Sequence, residues 1–212
     1  MLVGKQLTFR YTPRHPWILR NFHVAIAPGE VVGLMGPSGF GKTTLGKLLA
    51  GYLTPTTGSV TINSQALPLR GYAPVQLIFQ NPELAVNPRW RIRQILQEGN
   101  NPTPNLLEAL GIHPTWLNRY PHELSGGELQ RIAVARALTP ATRYLIADEM
   151  TAMLDANTQA LIWQAVLHYT HTHQIGLLVI SHESALLKRL SDRIIDVASE
   201  RVDEFGTVSS GK

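Results

Sequence analysis

The run Val31-Val32-Gly33-Leu34-Met35 leads directly into Gly36-Pro37-Ser38-Gly39-Phe40-Gly41-Lys42-Thr43, and this junction narrows the possible folds more than any other segment. Five residues without a polar side chain suit a strand covered on both faces, as in a parallel sheet. The glycines let the backbone turn so that its N–H groups face a phosphate at the start of the next helix. Lys42 then offers a point charge to the outer phosphates, and the Thr43 hydroxyl suits magnesium. Thr43 to Ala50 reads as that helix, closed by Gly51.

Around this junction the chain alternates strands and helices. Leu7–Tyr11 and Phe22–Ile26 read as strands, and Ser59–Asn63 as a half-exposed strand antiparallel to them. Val75–Gln80, Tyr144–Ala147, Leu177–Ile180 and Ile194–Val197 read as further strands. Helices are expected at Glu128–Ala137, Thr158–Tyr169 and Ser184–Leu190. Such alternation predicts a mostly parallel α/β sheet, with an antiparallel β subdomain built from the N-terminal strands. Seven of the 14 prolines fall between positions 74 and 121, breaking that stretch into short helices at Ile92–Gln97 and Leu106–Leu110. The expected organisation is one domain over 1–212. Residues 1–80 and 132–212 form its core and 81–131 a small helical subdomain, and Val208–Lys212 form a tail.

Two more segments carry chemistry. Tyr144-Leu145-Ile146-Ala147 runs into Asp148-Glu149, so a buried strand ends in two carboxylates at the edge where ligands bind in such sheets. Asp148 fits a magnesium-orienting group and Glu149 a base for attacking water. Leu124-Ser125-Gly126-Gly127-Glu128 is a second glycine-rich turn opening a helix. One nucleotide needs only one such turn, so the second is expected to serve a nucleotide held by another copy or partner.

In this order the segments resemble the ATP-binding cassette family, whose signature reads LSGGQ or LSGGE. The resemblance implies an ATP site formed by Gly36 to Thr43 together with Thr44, with Tyr11, 25 positions before Gly36, stacking on adenine. It implies that Gln80 touches magnesium and the attacking water, that His182 contacts the γ-phosphate, and that Asp155 crosses a dimer interface. Leu124 to Glu128 would face the partner's ATP. Three positions depart from the family: Phe40 replaces a small residue, and Met150 and Ala152 stand where proline and serine are usual. Phe40 is expected to pack outward and leave the cradle intact. Phe79–Arg89 further resembles the ATP-binding subunits of bacterial nickel and oligopeptide importers.

The rest of the composition bounds this reading. With 44% hydrophobic and 16% charged residues the chain is expected to be globular. The sequence has no cysteine, which excludes disulfides, thiolate metal sites and iron–sulfur clusters. No run approaches the ~20 apolar residues of a spanning helix, and no secretory signal is seen at Met1–Gln6. The chain is therefore expected in the cytoplasm, peripheral to the inner face of the membrane. Net charge is +4, with basic groups at Arg89, Arg91, Arg93 and at Lys188, Arg189, Arg193. Without interleaved aromatics these read as solvated faces, and nucleic acid is not expected. His168, His171 and His173 lack a carboxylate companion and read as a helix end.

The implied partners are a second cassette, identical or paralogous, transmembrane permease subunits and an extracytoplasmic binding protein. Leu84, Val86 and Trp90 are candidates to line a groove for a permease helix, or else to fill the insert's own core. Other classes share the motifs. A DNA-repair cassette ATPase inserts a long module between the two glycine turns, whereas Lys42 and Ser125 are 83 positions apart. A translation-linked cassette carries two motif sets. A small-molecule kinase would lack the second glycine turn and the Asp-Glu pair.

Overall fold

The computed structural model describes residues 1–68, 71–98 and 101–198. The tail expected at 208–212 lies outside the described residues. An antiparallel sheet is built from β1 (Leu2–Phe9), β2 (Leu19–Ile26), β4 (Thr57–Ile62) and β5 (Gln65–Ala66), in the order β2-β1-β4-β5. β1 starts five residues earlier than its sequence pattern suggests, because its alternation changes phase midway. Leu2 and Gly4 face inward, then Leu7 and Phe9. The slip falls at a bulge where Gln6 adopts φ 52. Opposite that bulge, a Cβ on Gly58 would lie 2.3 Å from the Gln6 carbonyl oxygen, so only glycine fits.

The second sheet is parallel, in the order β6-β7-β8-β3-β9. Its strands are β3 (Val31–Met35), β6 (Val75–Ile78), β7 (Tyr144–Asp148), β8 (Gly176–Ile180) and β9 (Arg193–Asp196). Every residue of β7 and β8 is buried, which is why both read as unbroken apolar runs. The register aligns Leu34 with Ile180 and Ile180 with Asp148. All carboxyl ends therefore open on one edge of the sheet.

Between the sheets lies α1 (Lys42–Leu49), which buries Leu45, Leu48 and Leu49 against Leu2 and Leu7 on one side and Ile146 and Leu178 on the other. Gly46 lets it sit close: a Cβ there would be 3.3 Å from Ile146 and Ile180. Its end is a Schellman turn, with Gly51 at φ 78 and Tyr52 N–H donating to the Lys47 carbonyl at 2.8 Å.

The other face of the parallel sheet packs on α4 (Gly126–Ala137), α5 (Ala156–Thr172) and the short helices α2 (Ile92–Glu98) and α3 (Pro104–Ala109). Leu145 and Val179 of the sheet share one apolar cluster with Ile95, Leu106 and Trp116 of the proline-rich segment. α5 continues past Tyr169 to Thr172, with the His173 ring stacked on Tyr169 at 4.0 Å. α6 (Ser184–Leu190) leads into β9, whose exposed Arg193 pairs with Glu30 at 2.6 Å. Among the described residues no helix is long and apolar enough to cross a membrane.

Candidate nucleotide site

β3 delivers the chain to Gly36, and the loop folds back so that Lys42 Nζ donates to the carbonyls of Gly36 at 2.8 Å and Pro37 at 3.0 Å. Gly41 caps α1 at φ 86, and a Cβ there would meet Ile18 at 2.7 Å, so no other residue fits the position unstrained. Ser38, Gly39, Lys42, Thr43 and Thr44 line a cleft of about 360 Å³. Burial pushes the Lys42 ammonium below its usual range, while Glu149 and Asp148 pull the other way.

The neighbouring strands bring four more side chains to the same cleft: Gln80, Asp148, Glu149 and His182. Gln80 and His182 each lie two residues beyond a strand rather than at its last position. Asp148 is 6% exposed and hydrogen-bonded by the Thr43 side chain. Burial, and secondarily the Glu149 charge, hold its carboxyl above the usual range, against the Thr43 bond and two lysines. Glu149 has φ 50, the left-handed region that a residue with a Cβ rarely enters. Its N–H bonds the Ile180 carbonyl at 3.0 Å, and its carboxylate meets His182 Nε2 at 2.7 Å. The turn thus aims Glu149 across β8 toward the histidine at some conformational cost.

Other expected site residues lie elsewhere. Tyr11 is outside β1 and 53% exposed, with its ring edge-on to Phe9 and its hydroxyl 3.3 Å from Thr44 Oγ1. It stands beside the cleft without lining it. Phe40 does not pack outward; it lies against the apolar cluster between the sheets and stays out of the cleft lining.

Leu124 to Glu128 form a separate feature, the capping turn of α4. Ser125 Oγ accepts from Glu128 N–H at 3.3 Å, while Glu128 Oε2 accepts from Ser125 N–H at 2.7 Å. α4 therefore begins two residues earlier than its periodicity indicates. Asp155 is likewise a helix cap, accepting from the N–H groups of Asn157 and Thr158 at 3.0 Å. In the loop between β7 and α5, buried Thr151 Oγ1 accepts from Gln159 and Trp163, each at 3.1 Å. Met150 is buried in the core beside it. Ile18 is the lining residue that the motifs did not indicate. Only its apolar character before β2 could have suggested it.

Thr43, Asp148 and Gln80 offer oxygen ligands of the hard type that magnesium selects, and a buried carboxylate held above its usual pKa gains by meeting a cation. The residues present fit the metal. Phosphate loop, paired carboxylates and parallel sheet together define a P-loop nucleotide-binding protein.

Comparison with known proteins gives the family. Residues 19–152 match the ABC transporter family model. YkfD of Bacillus subtilis, provisionally named an oligopeptide transport ATP-binding protein, is 38% identical over 80% of this chain and 57% of its own length. The oligopeptide transport ATP-binding protein OppF of Streptococcus mutans is 33% identical over 88% of this chain and 67% of its own. The dimeric bacterial ABC transporter cassette MJ0796 superposes with a TM-score of 0.77 at 24% identity, covering 92% of this chain and 94% of that one. CbiO1 of Clostridium perfringens superposes with a TM-score of 0.74 at 23% identity, over 92% of this chain and 83% of that one. The chain belongs to the ABC transporter family. It spans only about 57% to 66% of the length of the first curated relatives.

Proposed function

We propose that this chain binds ATP with magnesium and hydrolyses it to drive a membrane importer, with peptides the cargo class. One observation carries the reading: a single cleft gathers the phosphate loop, Gln80, Asp148, Glu149 and His182 from four parallel strands. The peptide assignment rests on the names of the relatives, which point to peptides rather than nickel.

In the reaction, Lys42 exchanges its contacts with the loop carbonyls for the outer phosphates. Glu149 accepts a proton from water as the water oxygen attacks the γ-phosphorus. The bond to the ADP oxygen breaks, giving ADP and phosphate. His182, already paired with Glu149, orients that carboxylate, and Gln80 positions the water. When bound, magnesium neutralises phosphate charge; Thr43, Asp148 and Gln80 would hold it. Tyr11, beside the cleft, would stack on adenine.

The capping turn at Ser125 lies outside this chain's own cleft lining, which supports its use on a partner's ATP. Asp155 would lie at the same junction. On this reading residues 1–80 and 132–212 hold the nucleotide, and 81–131 carries the signature. The partners are a second cassette, a permease and an extracytoplasmic binding protein, with the chain seated on the permease's cytoplasmic side.

Steady-state phosphate release from the purified chain with magnesium and ATP tests the reading. Hydrolysis without any acceptor molecule, lost in Lys42→Ala, supports an ATPase. Transfer of phosphate only to an added small molecule would make the chain a kinase instead.

A further inference from the structure

Gln130 lies in α4, the helix that the signature turn opens, and is 1% exposed. Its Nε2 donates to the Phe79 carbonyl at 3.4 Å, at the residue directly before Gln80. Its Oε1 is buried and finds no hydrogen-bond partner among the described residues. An unmet buried acceptor lowers stability; an apolar side chain of the same shape would remove that cost but would also deprive the Phe79 carbonyl of its donor. What the amide supplies here is the Nε2 bond to the Phe79 carbonyl, and that bond calls for a reason beyond packing.

The surroundings give one. Gln80 is strung between two fixed points. On one side the Phe79 carbonyl is held by Gln130, and the Phe79 ring lies edge-on to Tyr52 at 5.6 Å. On the other, Asn81 caps the 3₁₀ turn Pro82–Ala85 by accepting from Glu83 N–H at 3.0 Å. That turn also packs on α4. Any shift of α4 as its N-terminus engages a partner's nucleotide thus reaches the Gln80 backbone through this amide as well as through the 3₁₀ turn.

We infer that Gln130 is a positioning residue that couples the signature helix to Gln80. It sets where Gln80 stands in the cleft without touching nucleotide itself. The 3.4 Å bond to the Phe79 carbonyl is the direct contact through which it does so. The inference rests on the assignment of Gln80 to the reaction.

Gln130→Met keeps the volume and removes both donor and acceptor. Steady-state ATPase and thermal melting of the full chain should then diverge. kcat is expected to fall about tenfold to hundredfold, as for a misplaced catalytic group, with KM for ATP little changed. The melting temperature should change little, because losing the donor to the Phe79 carbonyl is offset by losing the unmet Oε1, and no purely structural role for the amide would combine that with lost turnover. On a Gln80→Ala background the same substitution should cost no further activity, because its effect passes through Gln80. Gln130→Leu, which also lacks the donor and carries no charge, is read the same way should the Met variant fail to fold. Parental turnover in Gln130→Met while Gln80→Ala is slow would overturn the coupling alone. So would a full additive loss in the double variant. Parental turnover in Gln80→Ala would overturn the role of Gln80 and the coupling with it.

Discussion

At the scale of single residues, the Asp148-Glu149 pair shows how backbone geometry separates two like side chains. Asp148 ends a buried strand against Thr43, whereas Glu149 turns at φ 50 toward His182. Glu149→Gln keeps the shape and a hydrogen bond to His182 but cannot accept a proton. Turnover should drop by ~10²–10⁴ while ATP binding, measured by equilibrium dialysis, stays intact. Asp148 makes a prediction about pH. Its carboxyl is held above the usual range, so the folded protein binds that proton more tightly than the unfolded chain. The associated stability is fully present below the unfolded pKa and fades as pH rises through the folded one. A cation must displace the same proton, so magnesium-dependent binding of a non-hydrolysable ATP analogue should tighten as pH rises from acid toward neutral. Asp148→Asn should flatten that dependence; an unchanged slope would assign it to another group.

At the scale of elements, α4 joins two tasks. Its first turn is a capping box, and its body is tied into the proline-rich segment by Arg131, which donates to the Gly111 carbonyl at 3.1 Å and lies over the Trp116 ring at 4.7 Å. Ser125→Arg removes the cap, which typically costs ~1 kcal/mol, and puts a bulky cation on the turn proposed to meet a partner's γ-phosphate. On the Glu149→Gln background, ATP-dependent dimerisation in size-exclusion chromatography should vanish while the monomer still binds nucleotide. An undiminished dimer would place the whole phosphate site within one chain.

At the scale of the molecule, the structure divides the three apolar residues proposed for permease docking. Val86 is 9% exposed and belongs to the core cluster, so it answers to the insert's own packing. Leu84 is 74% exposed and Trp90 37%, so both are free of that core. Val86→Asp should therefore destabilise the fold, by roughly 3 kcal/mol or more, as an unpaired buried charge does. Leu84→Asp should leave the melting temperature and the isolated ATPase unchanged while weakening association with the cognate permease in pull-down and transport assays. A Leu84→Asp variant with full permease association would remove that residue from the docking surface.

The sequence by itself determined the parts of the site whose constraint is local. A phosphate loop needs glycines in series before Lys42, and a strand buried on both faces must read as Tyr144-Leu145-Ile146-Ala147 does. Both are legible because the physics acts over a few neighbouring residues. Sequence spacing misplaced the start of β1, since a bulge at Gln6 changes the phase of alternation and only pairing with β2 and β4 fixes it. The end of α5 lies three residues past the expected Tyr169, where buried Thr170 and the Tyr169–His173 stack hold its last turn. Tertiary structure alone decided that Ile18 lines the cleft, that Val86 faces inward, and that Gln130 meets the Phe79 carbonyl. Each depends on two segments distant in sequence being brought together by the order of strands in a sheet, and no local pattern of side chains records that order.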